Sequence, residues 1–211
     1  MKNVRIENGV VVGTAGDKLT STNPLAKLLI RNFDNQIRHY LHAAHPQRLL
    51  EIGCGEGHVT DIILKETGAQ VHATDISQAL VDELKARIPS HRLTLEAVSI
   101  ESMALRQGFD TVVCCEVLEH IDDPEAGLQR MAQLKADHYI FSVPREPLFR
   151  GMNFARGAYV RDFGNSPGHI HHWSTSAFVR LVARHFTVQE IRTPIPWTAL
   201  LCTPLNPGRH V

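Results

Sequence analysis

The chain has 211 residues, with 22 Lys and Arg against 22 Asp and Glu, so its formal net charge is zero. That length suits one domain with a sizeable core, and a composition 43% hydrophobic and 21% charged is that of an ordinary globular protein. A neutral chain has no global field to gather a polyanion, which disfavours non-specific nucleic-acid binding, and no apolar run reaches the roughly 20 residues of a membrane helix. The charged start Met1-Lys2-Asn3-Val4-Arg5 has no apolar stretch behind it, so no secretory signal and a cytoplasmic location are expected. Cys54, Cys114, Cys115 and Cys202 form no Cys-x-x-Cys pair and are too sparse for a disulfide framework.

Residues 1–23 read as an arm. Asn23-Pro24 is an N-cap with proline at the first helical position, and Leu25, Leu28, Leu29, Phe33, Ile37 and Leu41 then recur at helical spacing until Pro46. Arg48 to Ile52 is a short apolar strand opening into glycines. A helix follows from His58 to about Glu66, then a strand from Ala69 to Thr74 ending at Asp75, and Ser77 caps a helix that stops near Pro89. Leu93-Thr94-Leu95 alternates as a third strand, and Phe109 to Cys115 is the β-branched, apolar run of a central strand. Asp123-Pro124 opens a helix with Leu128, Met131, Ala132 and Leu134 on its apolar side, and His138 to Val143 is a fifth strand closed by Pro144. The stretch from Arg145 to Trp173 breaks this rhythm and is too long for a simple connector. Beyond it, Ser174 or Thr175 caps a helix carrying Phe178, Leu181 and Val182, and Phe186 to Ile191 and Trp197 to Leu201 form a closing strand pair. Alternating strands and helices predict one α/β domain over residues 1–211, a mostly parallel sheet with helices on both faces.

The strand-glycine-helix run Glu51-Ile52-Gly53-Cys54-Gly55-Glu56-Gly57 has the form of a nucleotide-type site at a sheet's carboxyl edge. A dinucleotide fingerprint would need its third glycine at position 58, which is His58, and the Gly-Lys-Ser/Thr of a phosphate loop is absent. Asp75 ends the next strand, where a carboxylate can accept hydrogen bonds from both hydroxyls of a ribose.

The run E-x-G-x-G-x-G after an apolar strand, with Asp75 and the strand Phe109–Cys115, resembles the class I S-adenosylmethionine-dependent methyltransferases across residues 48 to 143. The resemblance implies a Rossmann-like, seven-stranded sheet with a closing antiparallel strand. It also implies S-adenosyl-L-methionine as cofactor, held by Glu51, Gly53, Gly55, Gly57, Asp75, Ile76, Ser99, Ile100 and Cys115. Many relatives carry an Asp after the third strand for the adenine amino group; here Ser99 takes that place.

After the central strand comes Glu116-Val117-Leu118-Glu119-His120, and a helical turn there would put Glu116, Glu119 and His120 on one face. Such a set could hold Mg, Mn, Fe or Zn, or could pair with Arg145 and backbone amides and only shape the active-site floor. The Glu-x-x-Glu-His pattern resembles that of the ubiquinone-biosynthesis O-methyltransferases and the small-RNA 3′-terminal 2′-O-methyltransferases, which implies a divalent metal beside adjacent substrate hydroxyls. In the RNA enzymes a further histidine precedes a Trp. The matching run here is His169-Ile170-His171-His172-Trp173, with His169 best spaced and His171 and His172 as alternatives. Without a metal, His171 or His172 is the candidate general base.

Residues 145 to 172 are the expected substrate lid, with Arg145, Arg150, Arg156 and Arg161 among Phe149, Met152, Phe154 and Tyr159. Arginines between aromatics suit a flat or anionic ligand, or only a solvated amphipathic helix. Neutral charge and the lack of an appended nucleic-acid module favour a small-molecule methyl acceptor over RNA. The expected reaction is O-methylation, possible with or without a metal. N- or C-methylation, a non-catalytic cofactor-binding protein and a nicotinamide oxidoreductase stand as alternatives; the acceptor's identity and the oligomeric state are left open by the sequence.

Overall fold

The computed structural model describes residues 23–155, 162–166 and 168–205, together with the backbone of residues 5–7 and 10–12. The expected arm holds a strand pair, β1 (Arg5–Glu7) antiparallel to β2 (Val10–Val12). Of the residues expected in the lid, Arg156, Tyr159 and Arg161 lie outside the described residues, as does Pro167 of the turn before the histidines.

Helix α1 (Pro24–Ala44) starts where the sequence places it, because Asn23 Oδ1 accepts from Leu25 N–H at 2.9 Å and Pro24 needs no hydrogen-bond acceptor. It stops at His45, whose left-handed φ of 48° turns its N–H back onto Leu41 O. Then follow β3 (Arg48–Ile52), α2 (His58–Glu66), β4 (Gln70–Asp75), α3 (Gln78–Arg87) and β5 (Leu93–Ala97). The second half comprises β6 (Thr111–Cys115), a 3-10 turn (Leu118–His120), α4 (Pro124–Gln133) and β7 (His138–Pro144). It ends with α5 (Leu148–Ala155), α6 (Thr175–Val182), β8 (Phe186–Arg192) and β9 (Trp197–Pro204). Ser174, not Thr175, caps α6, its Oγ accepting from Ala177 N–H at 3.3 Å.

The main sheet has seven strands in the order β5-β4-β3-β6-β7-β9-β8. Every pair from β5 to β7 is parallel, and β9 runs antiparallel to both β7 and β8. β6 begins two residues later than its apolar run, because Asp110 is spent on the neighbouring turn: its Oδ2 accepts from Gln47 N–H at 2.9 Å and Arg48 N–H at 2.8 Å. All five residues of β6 are buried, with Val112 and Cys114 in one core cluster and Val113 and Cys115 in the other. The first cluster also takes Leu128 and Met131 of α4 and Phe178 and Val182 of α6; the second takes Ile37 and Tyr40 of α1, Ile62 and Ile63 of α2 and Leu84 of α3. Each fully buried aliphatic side chain contributes about 1.5–3 kcal/mol, and period-two alternation sends consecutive residues to opposite clusters.

The chain lays down β3, β4 and β5 outward on one side, then crosses back to place β6 on the other side of β3. The crevice between the carboxyl ends of β3 and β6 is therefore a topological switch point, the place where open α/β sheets bind ligands. Both the glycine loop and the Glu116–His120 segment leave the sheet there. Among the described residues no helix is long and apolar enough to cross a membrane.

A Cβ on Gly53 would collide with Val117 Cγ2, and Gly53 sits at φ +73°. Gly53→Ala therefore adds both strain and overpacking, and is expected to destabilise the fold by about 2–4 kcal/mol. A thermal-unfolding midpoint unchanged from that of the parent chain would show that this packing is wrong.

Candidate active site

The loop after β3 is built on three glycines with positive φ: Gly53 at 73°, Gly55 at 51° and Gly57 at 77°. Gly53 N–H and Cys54 N–H donate to Thr74 O at 2.8 and 2.9 Å, tying the loop to the end of β4. Gly53 and Gly57 lack side chains for packing reasons, against Val117 and Leu84, whereas no described atom lies within 4 Å of a Cβ built on Gly55. Gly55 is thus the glycine of the three that borders open space. Its N–H donates to Asp75 Oδ2 at 2.7 Å, and Ser77 N–H donates to Asp75 Oδ1 at 2.9 Å. Asp75 is buried and fixes the glycine loop and the start of α3 with the same carboxylate.

The other residues expected at the cofactor are spread around this core. Ile76 is 39% exposed beside Asp75. Ser99 lies on the turn after β5, its Oγ 3.0 Å from Ser102 Oγ, and Val98 N–H next to it donates to Asp75 O at 2.8 Å. Ile100 is a core side chain, and its carbonyl accepts from Arg130 Nε at 2.8 Å. Cys115 ends β6, buried, and that burial pushes its thiol well above the usual range.

Glu51 is buried between β3 and α2, where Thr60 Oγ1 donates to its Oε2 at 2.7 Å. Burial raises its pKa to about 7, with Thr60 pulling the other way and Asp75 adding to the rise. A carboxyl whose folded pKa lies above its unfolded one binds more protons when folded, so stability falls as pH rises from about 4.5 to about 7. Relative to Glu51→Gln, the unliganded wild type is expected to lose about 2–3 kcal/mol across that window. Denaturant titrations of both chains at pH 4.5 and 8 check this; a difference that does not change with pH contradicts it.

The Glu116–His120 segment divides in two. Glu116 takes a left-handed φ of 59°, which aims its carboxylate at Ser142 and Trp197: Ser142 Oγ donates to Oε1 at 2.9 Å and Trp197 Nε1 to Oε2 at 2.7 Å. Glu119, His120 and His169 instead come together, one ligand atom from each within 4.8 Å of the others. Among the described residues the group does not include Glu116. The histidine loop is held there by its backbone, since Ile170 N–H and His171 N–H both donate to Glu119 O, at 3.0 and 3.2 Å. His120 Nδ1 lies 2.9 Å from Gly168 O, and a proton donated there places the lone pair on Nε2. The His120 and His169 rings meet edge-on at 4.9 Å, and Phe149 of α5 stacks on His169 at 5.5 Å.

The two alternative histidines face elsewhere. His171 Nε2 lies 3.0 Å from Ile121 O, and its ring stacks on Trp173 at 5.3 Å. His172 is exposed, with Nε2 2.7 Å from Asn165 Oδ1; partial burial, then Arg150 and His171, lower its pKa.

The sequence reading missed Ser142, Trp197 and Glu146. Trp197 opens β9 opposite Pro144, so antiparallel pairing brings it back to the carboxyl edge. Glu146, two residues past the end of β7, is 9% exposed; it accepts from Arg150 N–H at 3.2 Å, and burial raises its pKa. Its position after a parallel strand is the same signal that singled out Glu116.

A family model described as a methyltransferase domain matches residues 24–188. The chain is 35% identical over 95 residues to a ubiquinone biosynthesis O-methyltransferase of Albidiferax ferrireducens, covering 42% of this chain and 36% of that protein. It is 34% identical over 110 residues to the protein of that description from Idiomarina loihiensis, covering 50% of this chain and 45% of the relative. The chain thus spans less than half the length of these curated relatives. Among solved structures, the N-methyltransferase NodS of Bradyrhizobium japonicum, in complex with S-adenosyl-L-homocysteine, superposes with a TM-score of 0.67 at 18% identity, over 91% of this chain and 94% of that one. With the glycine loop, the Asp75 anchor and this coverage together, the chain belongs to the methyltransferase-domain family, as a class I S-adenosylmethionine-dependent methyltransferase.

Proposed function

We propose that the chain transfers the methyl group of S-adenosylmethionine to a hydroxyl of a small molecule, assisted by a divalent cation held by Glu119, His120 and His169. The observation that carries this reading is the convergence of those three side chains at the carboxyl end of β6, next to the glycine loop. One carboxylate and two imidazoles form a mixed oxygen and nitrogen set that suits Mn, Fe or Zn better than Mg. The Gly168 carbonyl on His120 Nδ1 supports the fit, because it sets the tautomer a metal-binding imidazole needs. When bound, such a cation lowers the pKa of an adjacent hydroxyl and orients it. The name shared by the two curated relatives and the neutral charge of the chain favour a small-molecule acceptor.

In this reading Asp75 accepts from the ribose hydroxyls, Gly55 lets the backbone approach the cofactor, and Glu51, Gly53, Gly57, Ile76, Ser99, Ile100 and Cys115 shape the rest of its site. The sulfonium methyl is already activated, so the protein's task is to align acceptor oxygen, carbon and sulfur. Residues 145–172 form the lid, with Phe149 on His169 linking it to the site, and residues 1–211 make one domain whose first 23 residues are the arm. The two core clusters support a sheet with helices on both faces.

A metal-independent transfer to oxygen, nitrogen or carbon, with His171 or His172 as the general base, is the second reading. Exhaustive chelation followed by add-back of Mn, Fe, Zn or Mg, with labelled cofactor and catechol as acceptor, separates the two. The first reading expects transfer to fall at least about 100-fold and to return with one of these ions. Transfer untouched by chelation sinks the metal.

A further inference from the structure

A pocket of about 690 Å³ lies between α1, α5 and the β8–β9 connection, a volume within the ordinary range for small-molecule sites. Two of its walls are carried by elements that also reach the candidate active site. Two residues past the connecting segment Thr193–Ile195, the Trp197 indole bonds to Glu116, and its ring lies 5.0 Å from Phe33 of α1. On α5, Met152 faces the pocket while Phe149, less than one turn earlier, stacks on His169.

The lining is graded. Leu25, Leu28 and Leu29 on the first two turns of α1 face Pro194, Ile195 and Met152. Leu25 is 58% exposed and Leu28 43%. One to three turns further along the helix come Asn32, Gln36 and His39. Gln36 is 7% exposed, and its Nε2 is buried with no hydrogen-bond partner among the described residues. A buried amide without a partner is a cost that native structures rarely leave standing, and the soft terminal torsion of Gln lets it present either its oxygen or its nitrogen. On the rim, Arg192 pairs with Glu190, and His39 Nε2 lies 3.1 Å from the same carboxylate. The pocket therefore offers apolar contact and one buried amide, Gln36, with Asn32 and Asn35 exposed on its polar side and Arg192 paired with Glu190.

We infer that this pocket holds an apolar arm of the methyl acceptor, and that Gln36 hydrogen-bonds a neutral carbonyl, amide or hydroxyl group at the arm's inner end. The acceptor is then an amphipathic, uncharged molecule larger than its reacting ring. This rests on the O-methyltransferase reading above.

The test uses N-octyl-3,4-dihydroxybenzamide, which carries vicinal hydroxyls, an amide and an apolar arm, and its N-methyl analogue, which lacks the arm. Both are titrated calorimetrically into the full chain, with and without S-adenosylhomocysteine. The octyl compound is expected to bind at least about tenfold tighter than the methyl one. Leu28→Glu, a change at a half-exposed position, removes that gain. Gln36→Leu weakens the octyl amide about tenfold but does not weaken 4-octylcatechol, which has no amide. Equal affinities of the octyl and methyl compounds, a gain that survives Leu28→Glu, or no binding of either compound overturns the inference. Methyl transfer to the N-methyl compound without any octyl gain removes this inference and leaves the O-methyltransferase reading standing. Tight octyl binding without transfer does the reverse.

Discussion

Replacing Asp75 by Ala is expected to weaken S-adenosylmethionine binding at least about 100-fold. Hydrogen bonds to a charged acceptor are worth about 1.5–3 kcal/mol each, and two ribose hydroxyls on one carboxylate amount to two or more powers of ten in affinity. The substitution also releases the loop, since Asp75 Oδ2 holds Gly55 N–H at 2.7 Å and Oδ1 holds Ser77 N–H at 2.9 Å. Asn in its place keeps one acceptor oxygen without the charge, and an intermediate loss of about tenfold is expected. Calorimetric titration with the cofactor or its demethylated product reads both variants, and thermal unfolding verifies that each is folded. Affinity within twofold of wild type for Asp75→Ala would remove Asp75 from the cofactor site.

The second large effect is expected at Glu119. It is 1% exposed and shares a 4.8 Å cluster with His120 and His169. Glu119→Gln keeps the shape and removes the charge that a divalent cation needs. The Mn concentration giving half-maximal transfer is expected to rise at least about 100-fold, with transfer recovering only at high Mn. Glu116→Gln makes the control. Its oxygens already accept from Ser142 and Trp197, so the half-saturating Mn concentration is expected to move less than about tenfold. Measuring both variants across a Mn series decides the assignment. Equal shifts for the two carboxylates would mean that the cluster of three is not the centre of the metal site.

The contrast between Glu116 and Glu119 shows how far local spacing carries. Helical spacing puts residues 116, 119 and 120 on one face only if the helix already runs at 116. Here Glu116 sits at φ 59° and Val117 at φ −123°, and the turn begins at Leu118 with 3-10 geometry. Helical phase does not reach back to Glu116, so its side chain departs toward β7 and β9. The glycine loop, by contrast, was legible because strand, glycines, helix and the acid at the end of the next strand are each local signals. β6 was legible because five consecutive buried residues leave no polar face to hide. The choice of His169 over His171 and His172 had only its spacing to Trp173 behind it. What places the ring is the pair of amides, Ile170 and His171, on Glu119 O, a contact between segments far apart in the chain. Trp197 and Gln36 carried no signal for the same reason. Trp197 reaches the carboxyl edge only through the antiparallel return of β9, and Gln36 on α1 reads as a solvent-side glutamine until Phe33, Ile37 and Tyr40 are seen buried around it.

The most direct measurement is a crystal structure of the full chain grown with S-adenosylhomocysteine and a manganese salt, with data collected at a wavelength where manganese scatters anomalously. The ribose is expected on Asp75, the backbone of Gly55 against the cofactor, and an anomalous peak within bonding distance of Glu119, His120 and His169. A cofactor bound away from Asp75, or an ion on other residues with those three left unligated, would contradict this arrangement.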